Sequence, residues 1–220
     1  MKNRQEKDLL GIREIPAEIY YGIQTVRARE NFPITGYPPH KEMILALATV
    51  KKAAAIANRE IGILSPKVSE AIVKAADEII DGKLHDQFIT DVIQGGAGTS
   101  LNMNANEVIA NKAIEILGGV KGDYSVVHPN NHVNMAQSTN DVFPTAIRIA
   151  GLNLARDLLR VLEQLKSAFK QKAEEFDSVI KMGRTHLQDA VPIRLGQEFL
   201  GPLMALPSPD LSMHRYLHVL

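Results

Sequence analysis

Gln137-Ser138-Thr139-Asn140-Asp141 sets an amide, two hydroxyls, a second amide and a carboxylate side by side. The cluster stands directly before a long apolar-periodic run that starts near Pro144. A helix N-terminus needs one such residue as a cap, because one side-chain oxygen satisfies one or two orphan N–H groups. The surplus suits an anion, with backbone N–H groups and the helix dipole adding attraction. Taken alone, the stretch is better read as an over-polar cap and turn. A second stretch, Asp91–Ser100 (DVIQGGAGTS), is a glycine-rich loop that delivers the Thr99 hydroxyl at a helix start. It lacks the lysine of a phosphate-binding loop, and Leu101 stands where the dinucleotide fingerprint needs its third glycine. A third stretch, Lys181–Pro192 (KMGRTHLQDAVP), offers Arg184, Thr185 and His186 from a loop between helical segments. A histidine beside a hydroxyl can orient a carboxylate or relay a proton near neutral pH, although a lone histidine also serves as a plain structural donor. His128 and His132 are four apart, a metal-like spacing only on one helix. Pro129 argues against that helix and no third ligand follows, so no metal is expected.

The elements that carry these stretches are predicted to be mainly α-helical. Residues 1–40 are punctuated by Gly11, Pro16, Gly22, Pro33 and Gly36 and read as extended segments, turns and one short helix. Lys41–Ile63 is a helix rich in Ala, Leu and Lys. Ser65 caps the next, with Pro66 at its first position and Val68, Ile72, Ala75 and Ile79 on its buried face; it stops near Gly82. A further helix runs from Leu101 to Leu117. From about Pro144 to Phe176, Leu154, Leu158, Val161 and Leu165 recur at four-three-four spacing, the seam of a helix bundle. No strand pattern stands out after residue 40. Pro202, Pro207 and Pro209 interrupt the helix that starts at Leu195, and residues 200–220 read as a divergent tail. The expected domains are 1–139, mainly helical; 140–199, the first part of a central bundle; and the tail.

Composition excludes several classes of function. Lys plus Arg equals Asp plus Glu at 25 each, so no global field favours nucleic acid or an anionic membrane. There are no cysteines, hence no disulfide and no thiolate nucleophile. The start, MKNRQEKDLLG, lacks an apolar secretory core, and the longest apolar run, Met43–Val50, is far too short to span a bilayer. A cytoplasmic location is the expectation.

Together the stretches form a set. Gly95–Asn111 (GGAGTSLNMNANEVIAN), His128–Pro144 (HPNNHVNMAQSTNDVFP) and Gly183–Phe199 (GRTHLQDAVPIRLGQEF) resemble the aspartase/fumarase superfamily. So do Asp8–Ile15 (DLLGIREI) and Tyr20–Phe32 (YYGIQTVRARENF), extending the resemblance over about residues 5 to 199. It implies a mainly α, long-helix-bundle fold and a lyase that makes fumarate without an organic cofactor. A base takes the proton next to a carboxylate, and a doubly charged aci-carboxylate forms before ammonia or water leaves. The implied dicarboxylate site is lined by Thr99, Ser138, Thr139, Asn140, Thr185 and His186, with His186 also given a catalytic role. Thr139 and Asn140 would hold one carboxylate, Thr185 and His186 the other, and Thr99 and Ser138 would lie near the reacting atoms or amino group. Arg27 is implied as a further anion contact.

The glycine loop GGAGTS with Ser-Thr-Asn leans to the branch that eliminates ammonia from L-aspartate; the water-eliminating branch and a non-catalytic descendant of the scaffold are the alternatives. A homotetramer is implied, each site assembled from three subunits. Two departures stand out. Asn131 occupies a position where the family usually has Asp, and the mobile loop Gly-Ser-Ser-x-Met-Pro-x-Lys-x-Asn that carries the family's catalytic serine is not in these 220 residues. The polypeptide by itself is therefore expected to be inactive and aggregation-prone.

Overall fold

The computed structural model describes residues 2–205, apart from the side chains of Leu203 and Ala205. The chain divides into two units, Met1–Gly151 and Leu152–Leu220.

The first unit opens with an antiparallel hairpin, β1 (Asn3–Asp8) and β2 (Gly11–Pro16), with Asp8 paired to Gly11. Helices α1 (Ile23–Asn31), α2 (Lys41–Glu60), α3 (Pro66–Ile80) and α4 (Thr99–Ile116) follow. A single 3-10 turn (His85–Gln87) precedes α4, and one π-helical turn (Pro129–Val133) follows it. Helix α3 starts as its sequence requires, with Ser65 Oγ accepting from Val68 N and Pro66 where its missing N–H is harmless. Helices α2, α3 and α4 bury a common core that includes Leu47, Ile72, Ile79, Val108, Ile109 and Ile114. Val68 is only partly buried against it.

Helix α5 (Thr139–Glu175) begins five residues before the expected start at Pro144, so Thr139, Asn140 and Asp141 of the polar cluster lie in its first turn. Pro144 is carried inside the helix. The early start is stabilised by burial: Val142, Ala146 and Ala150 belong to the core of the first unit. Beyond them Leu154, Leu158, Val161 and Leu165 are exposed.

In the second unit the expectation of no strands after residue 40 is overturned. Strands β3 (Ile180–Thr185) and β4 (Gln188–Arg194) form an antiparallel hairpin. Gly183 and Pro192 disguise it in the sequence. Gly183 sits at a register shift between Met182 and Arg184, where a Cβ would stand 2.9 Å from the Val191 carbonyl oxygen. Pro192 is tolerated because a two-stranded sheet leaves one edge of each strand unpaired. Helix α6 (Leu195–Ala205) follows and, contrary to the expected stop, carries Pro202 inside it. Gly196 lets its start approach the end of α5, since a Cβ there would meet Ala173 O at 2.3 Å. The Phe199 ring then packs on Phe169 and Phe176, 6.3 and 5.7 Å between centroids. Of the tail, residues 206–220 lie outside the described residues. No described helix is long and apolar enough to cross a membrane.

Candidate functional site

Two helix N-termini in the first unit carry four of the six residues singled out. The glycine loop reaches α4 through Gly96, Ala97 and Gly98, at φ +72°, +49° and +94°. Gly98 is required twice over, by its left-handed backbone and because a Cβ would sit 2.3 Å from the Phe143 ring of α5. Gln94 closes the helix from the loop, its Oε1 accepting from Leu101 N at 2.6 Å. Thr99 is exposed, and its hydroxyl donates to Gly96 O at 2.5 Å. With its hydrogen committed, that oxygen turns only lone pairs outward.

Thr139 and Ser138 have the opposite polarity. Thr139 Oγ1 accepts from Asn102 Nδ2 at 2.9 Å, and Ser138 Oγ accepts from Asn140 N at 3.2 Å. Each hydroxyl hydrogen is left to donate elsewhere. The Ser138 carbonyl takes the amides of Asp141 and Val142. The backbone donors expected to greet an anion at α5 are thus largely used inside the chain. Side-chain hydroxyls and the exposed Asn140 amide remain.

Behind this turn lies a network of polar side chains that sequence reasoning missed. Lys51 Nζ donates to Asn134 Oδ1 at 2.7 Å and to Gln137 Oε1 at 3.0 Å. Asn102 Nδ2 also approaches Asn134 Oδ1, at 3.3 Å, while its own buried Oδ1 has no hydrogen-bond partner among the described residues. Asn58 Nδ2 donates to Met135 O at 3.0 Å. The sequence did hold a signal. Ile44, Leu47, Ala48, Lys51, Ala55 and Asn58 share the buried stripe of α2 at helical spacing, so a lysine and an asparagine sit where aliphatic side chains are expected. Likewise Asn102, Asn104, Asn106, Glu107 and Asn111 are all buried on α4. Asn104 bonds Gln87 O and Ile89 N, and Asn111 bonds Tyr20 O and Gly122 N, so this helix fastens loops rather than only packing.

A buried carboxylate on α4 starts α1. Gly22 offers no side-chain cap, and Glu107 replaces it by accepting from the amides of Gly22, Gln24 and Thr25 and from the Thr25 hydroxyl at 2.6 Å. Burial pushes the Glu107 carboxyl up to about 7, against the pull of these donors. Arg27 on α1 is engaged by Asp8, with Nε–Oδ2 and Nη2–Oδ1 distances of 2.7 and 2.8 Å. The Arg27 hydrogen bond keeps the Asp8 carboxyl below its ordinary value. Arg27 therefore reaches an anion only by sharing or leaving Asp8. His128 caps the turn that follows it, its Nδ1 accepting from Asn130 N and Asn131 N. His132 Nδ1 accepts from His128 N, which turns the two histidines to structural use. Asn131 is exposed. Among the described residues no group of His, Cys, Asp or Glu side chains could hold a metal ion.

Two cavities of the first unit border these elements. One, of about 540 Å³, has Thr99, Ser100 and Arg27 in its wall; the other, about 740 Å³, is lined by Asp8, Gln24, Glu107, Tyr124 and His128 among others.

Thr185 and His186 belong to the second unit and are exposed. They are not in the loop between helices that the sequence suggested. Thr185 ends β3, and His186-Leu187 form a two-residue hairpin turn with φ +50° and +62°. Two left-handed central residues define a type I′ turn, which normally draws Asn or Gly. Neither is present, and Leu187 is 92% exposed.

The chain is similar to several known lyases. A family model described as Lyase matches residues 11–216. The aspartate ammonia-lyase of Bacillus subtilis (strain 168) is 69% identical over 196 residues, 89% of this chain but 41% of that protein. A class II fumarate hydratase of Halobacterium salinarum is 56% identical over 199 residues, 90% of this chain and 42% of its own. The crystal structure of a fumarate lyase:delta crystallin from Brucella melitensis superposes with a TM-score of 0.90 at 54% identity, covering 93% of this chain and 48% of that one. The chain thus spans less than half the length of the relatives it matches. On the family match, the sequence likeness and the shared fold, it belongs to the lyase family of the aspartase/fumarase superfamily.

Proposed function

We propose that this chain supplies part of the active site of an aspartate ammonia-lyase, which eliminates ammonia from L-aspartate to give fumarate. The observation that carries the reading is the opposed polarity of the hydroxyls. Thr99 presents lone pairs, which suit an ammonium group, whereas Thr139 and Ser138 keep hydrogens for carboxylate oxygens. The 69% identity to the Bacillus subtilis enzyme supports it.

The chemistry follows from that arrangement. A base removes a proton from the carbon beside one carboxylate, and the C–H electrons move onto that carboxylate as the aci form. Charge grows on its oxygens, so donors fixed in advance lower the barrier most. Thr139 and Asn140 serve one carboxylate, Thr185 and His186 the other, with His186 also the catalytic histidine. The electron pair then returns to form the C=C bond while the C–N bond breaks and ammonia departs. No cofactor or metal takes part. The base is supplied by the serine loop of the full-length protein. The full-length protein works as a homotetramer whose bundle covers the exposed Leu154, Leu158, Val161 and Leu165.

A second reading, class II fumarate hydratase, is favoured by the 56% identity to the Halobacterium salinarum enzyme. Extending the polypeptide to the length of its relatives and following fumarate absorbance with and without ammonium separates the two. Consumption only with ammonium is expected; consumption without it assigns the hydratase, and none in either assigns a non-catalytic scaffold.

A further inference from the structure

Among the described residues the largest fully buried side chain is that of Lys51, 0% exposed. Both acceptors of its amine are neutral amide oxygens, Asn134 Oδ1 and Gln137 Oε1. Burial in such surroundings disfavours the ammonium form and pushes this amine down to about 7. A lysine kept here is a poor way to fill a core, and its partners show what it is for.

Both amides are locked with their oxygens toward Lys51. Asn134 Nδ2 donates to Gln137 O at 3.1 Å; Gln137 Nε2 donates to Val133 O at 2.9 Å and Met135 O at 3.2 Å. Their nitrogens are committed to the backbone of one turn, so only a donor can stand opposite their oxygens. That turn contains Ala136 at φ +56°, a left-handed conformation unfavourable for any residue with a Cβ. It needs holding. The residues that follow at once are Ser138, Thr139 and Asn140, and Asn102 links the same Asn134 oxygen to Thr139 Oγ1.

We propose that Lys51 is a positioning residue: its amine clamps the Asn134–Gln137 turn and thereby sets where Thr139 and Asn140 present their donors to a substrate carboxylate. The nitrogen touches no substrate; it acts through the turn. The catalytic consequence rests on the lyase reading above, whereas the clamp itself does not.

The test uses the full-length protein with Lys51→Met, similar in length but without a donor, and Gln137→Leu, which removes one of the two acceptors and leaves the lysine. Amide hydrogen exchange is measured across residues 134–140 and, as a reference, across α3. Steady-state kinetics with aspartate accompany it. Lys51→Met is expected to speed exchange in 134–140 at least tenfold with α3 unchanged, and to raise KM at least tenfold with kcat within threefold. The double variant is expected to be no worse in KM than the poorer single, because both changes remove one clamp. Unchanged exchange and KM in folded Lys51→Met, or KM effects that multiply in the double variant, overturn the proposal. Should Lys51→Met not fold, Lys51→Gln, whose side chain ends one atom short of the amine, decides: faster exchange in 134–140 supports the clamp and unchanged exchange overturns it. Should the unsubstituted protein turn over no substrate, the lyase reading fails while the exchange comparison still decides the clamp.

Discussion

Asn102 Nδ2 donates to Thr139 Oγ1 over 2.9 Å, joining the first turn of α4 to the first turn of α5. This bond fixes the direction of the Thr139 hydroxyl, because an oxygen that accepts from Asn102 turns its hydrogen away. The polarity of the Thr139 hydroxyl is therefore decided one layer behind it, whereas Thr99 and Ser138 are set by the backbone of their own turns.

Replacing Thr139 by Val keeps the shape and removes that hydrogen. Loss of one charge-assisted hydrogen bond to a substrate carboxylate costs about 1.5–3 kcal/mol, which is about 10–10² in kcat/KM. The expected outcome in the full-length protein is a fall of that order in kcat/KM with aspartate, at a thermal midpoint within a few degrees of the parent. Steady-state kinetics beside a melting curve measures both, and near-parental kcat/KM would remove Thr139 from the site.

Asp91 governs the acid limb of stability. Burial alone would raise its carboxyl; the amide of Ile93, the Thr35 hydroxyl and the amides of Gly36 and Thr35 outweigh it and hold the group well below the ordinary aspartate range. A group whose folded pKa is depressed contributes stability above its unfolded value, about 3.9, and loses it as pH falls toward the folded one. Thermal midpoints of the parent and Asp91→Asn should differ most above pH ~5 and draw together progressively as pH falls from about 4 toward the much lower folded value. A gap that stays constant across that range would mean that the carboxylate charge does not matter.

The His186-Leu187 turn stores backbone strain beside a candidate site residue. Leu187 is exposed at φ +62°, so Leu187→Gly forfeits little packing and relieves an unfavourable conformation. The expected gain is about 1 kcal/mol in a denaturant titration. A loss of stability instead would show that the leucine side chain is held by something outside the described chain.

Much of the fold was legible because it follows local rules. Ser65 and Pro66 announce α3, and the glycine loop before Thr99 announces α4. The β3–β4 hairpin was hidden because Gly183 and Pro192 interrupt the very pattern that identifies strands. The start of α5 was misplaced because burial of Val142 and Ala146 outweighs the local warning of Pro144. Thr99, Ser138, Thr139 and Asn140 were legible as an excess of small polar groups over capping needs. Lys51 and Asn102 were not, although each breaks an apolar stripe; what they bond to is distant in sequence and appears only on folding. Arg27 was expected to face an anion, and its bond to Asp8 depends on a hairpin partner nineteen residues away.

The most direct test of the account is the fumarate assay on the protein extended to the length of its relatives. Loss of fumarate absorbance in the presence of ammonium, and none in its absence, is the expected result. Equal loss without ammonium would contradict it, because water rather than ammonia would then be the group that adds.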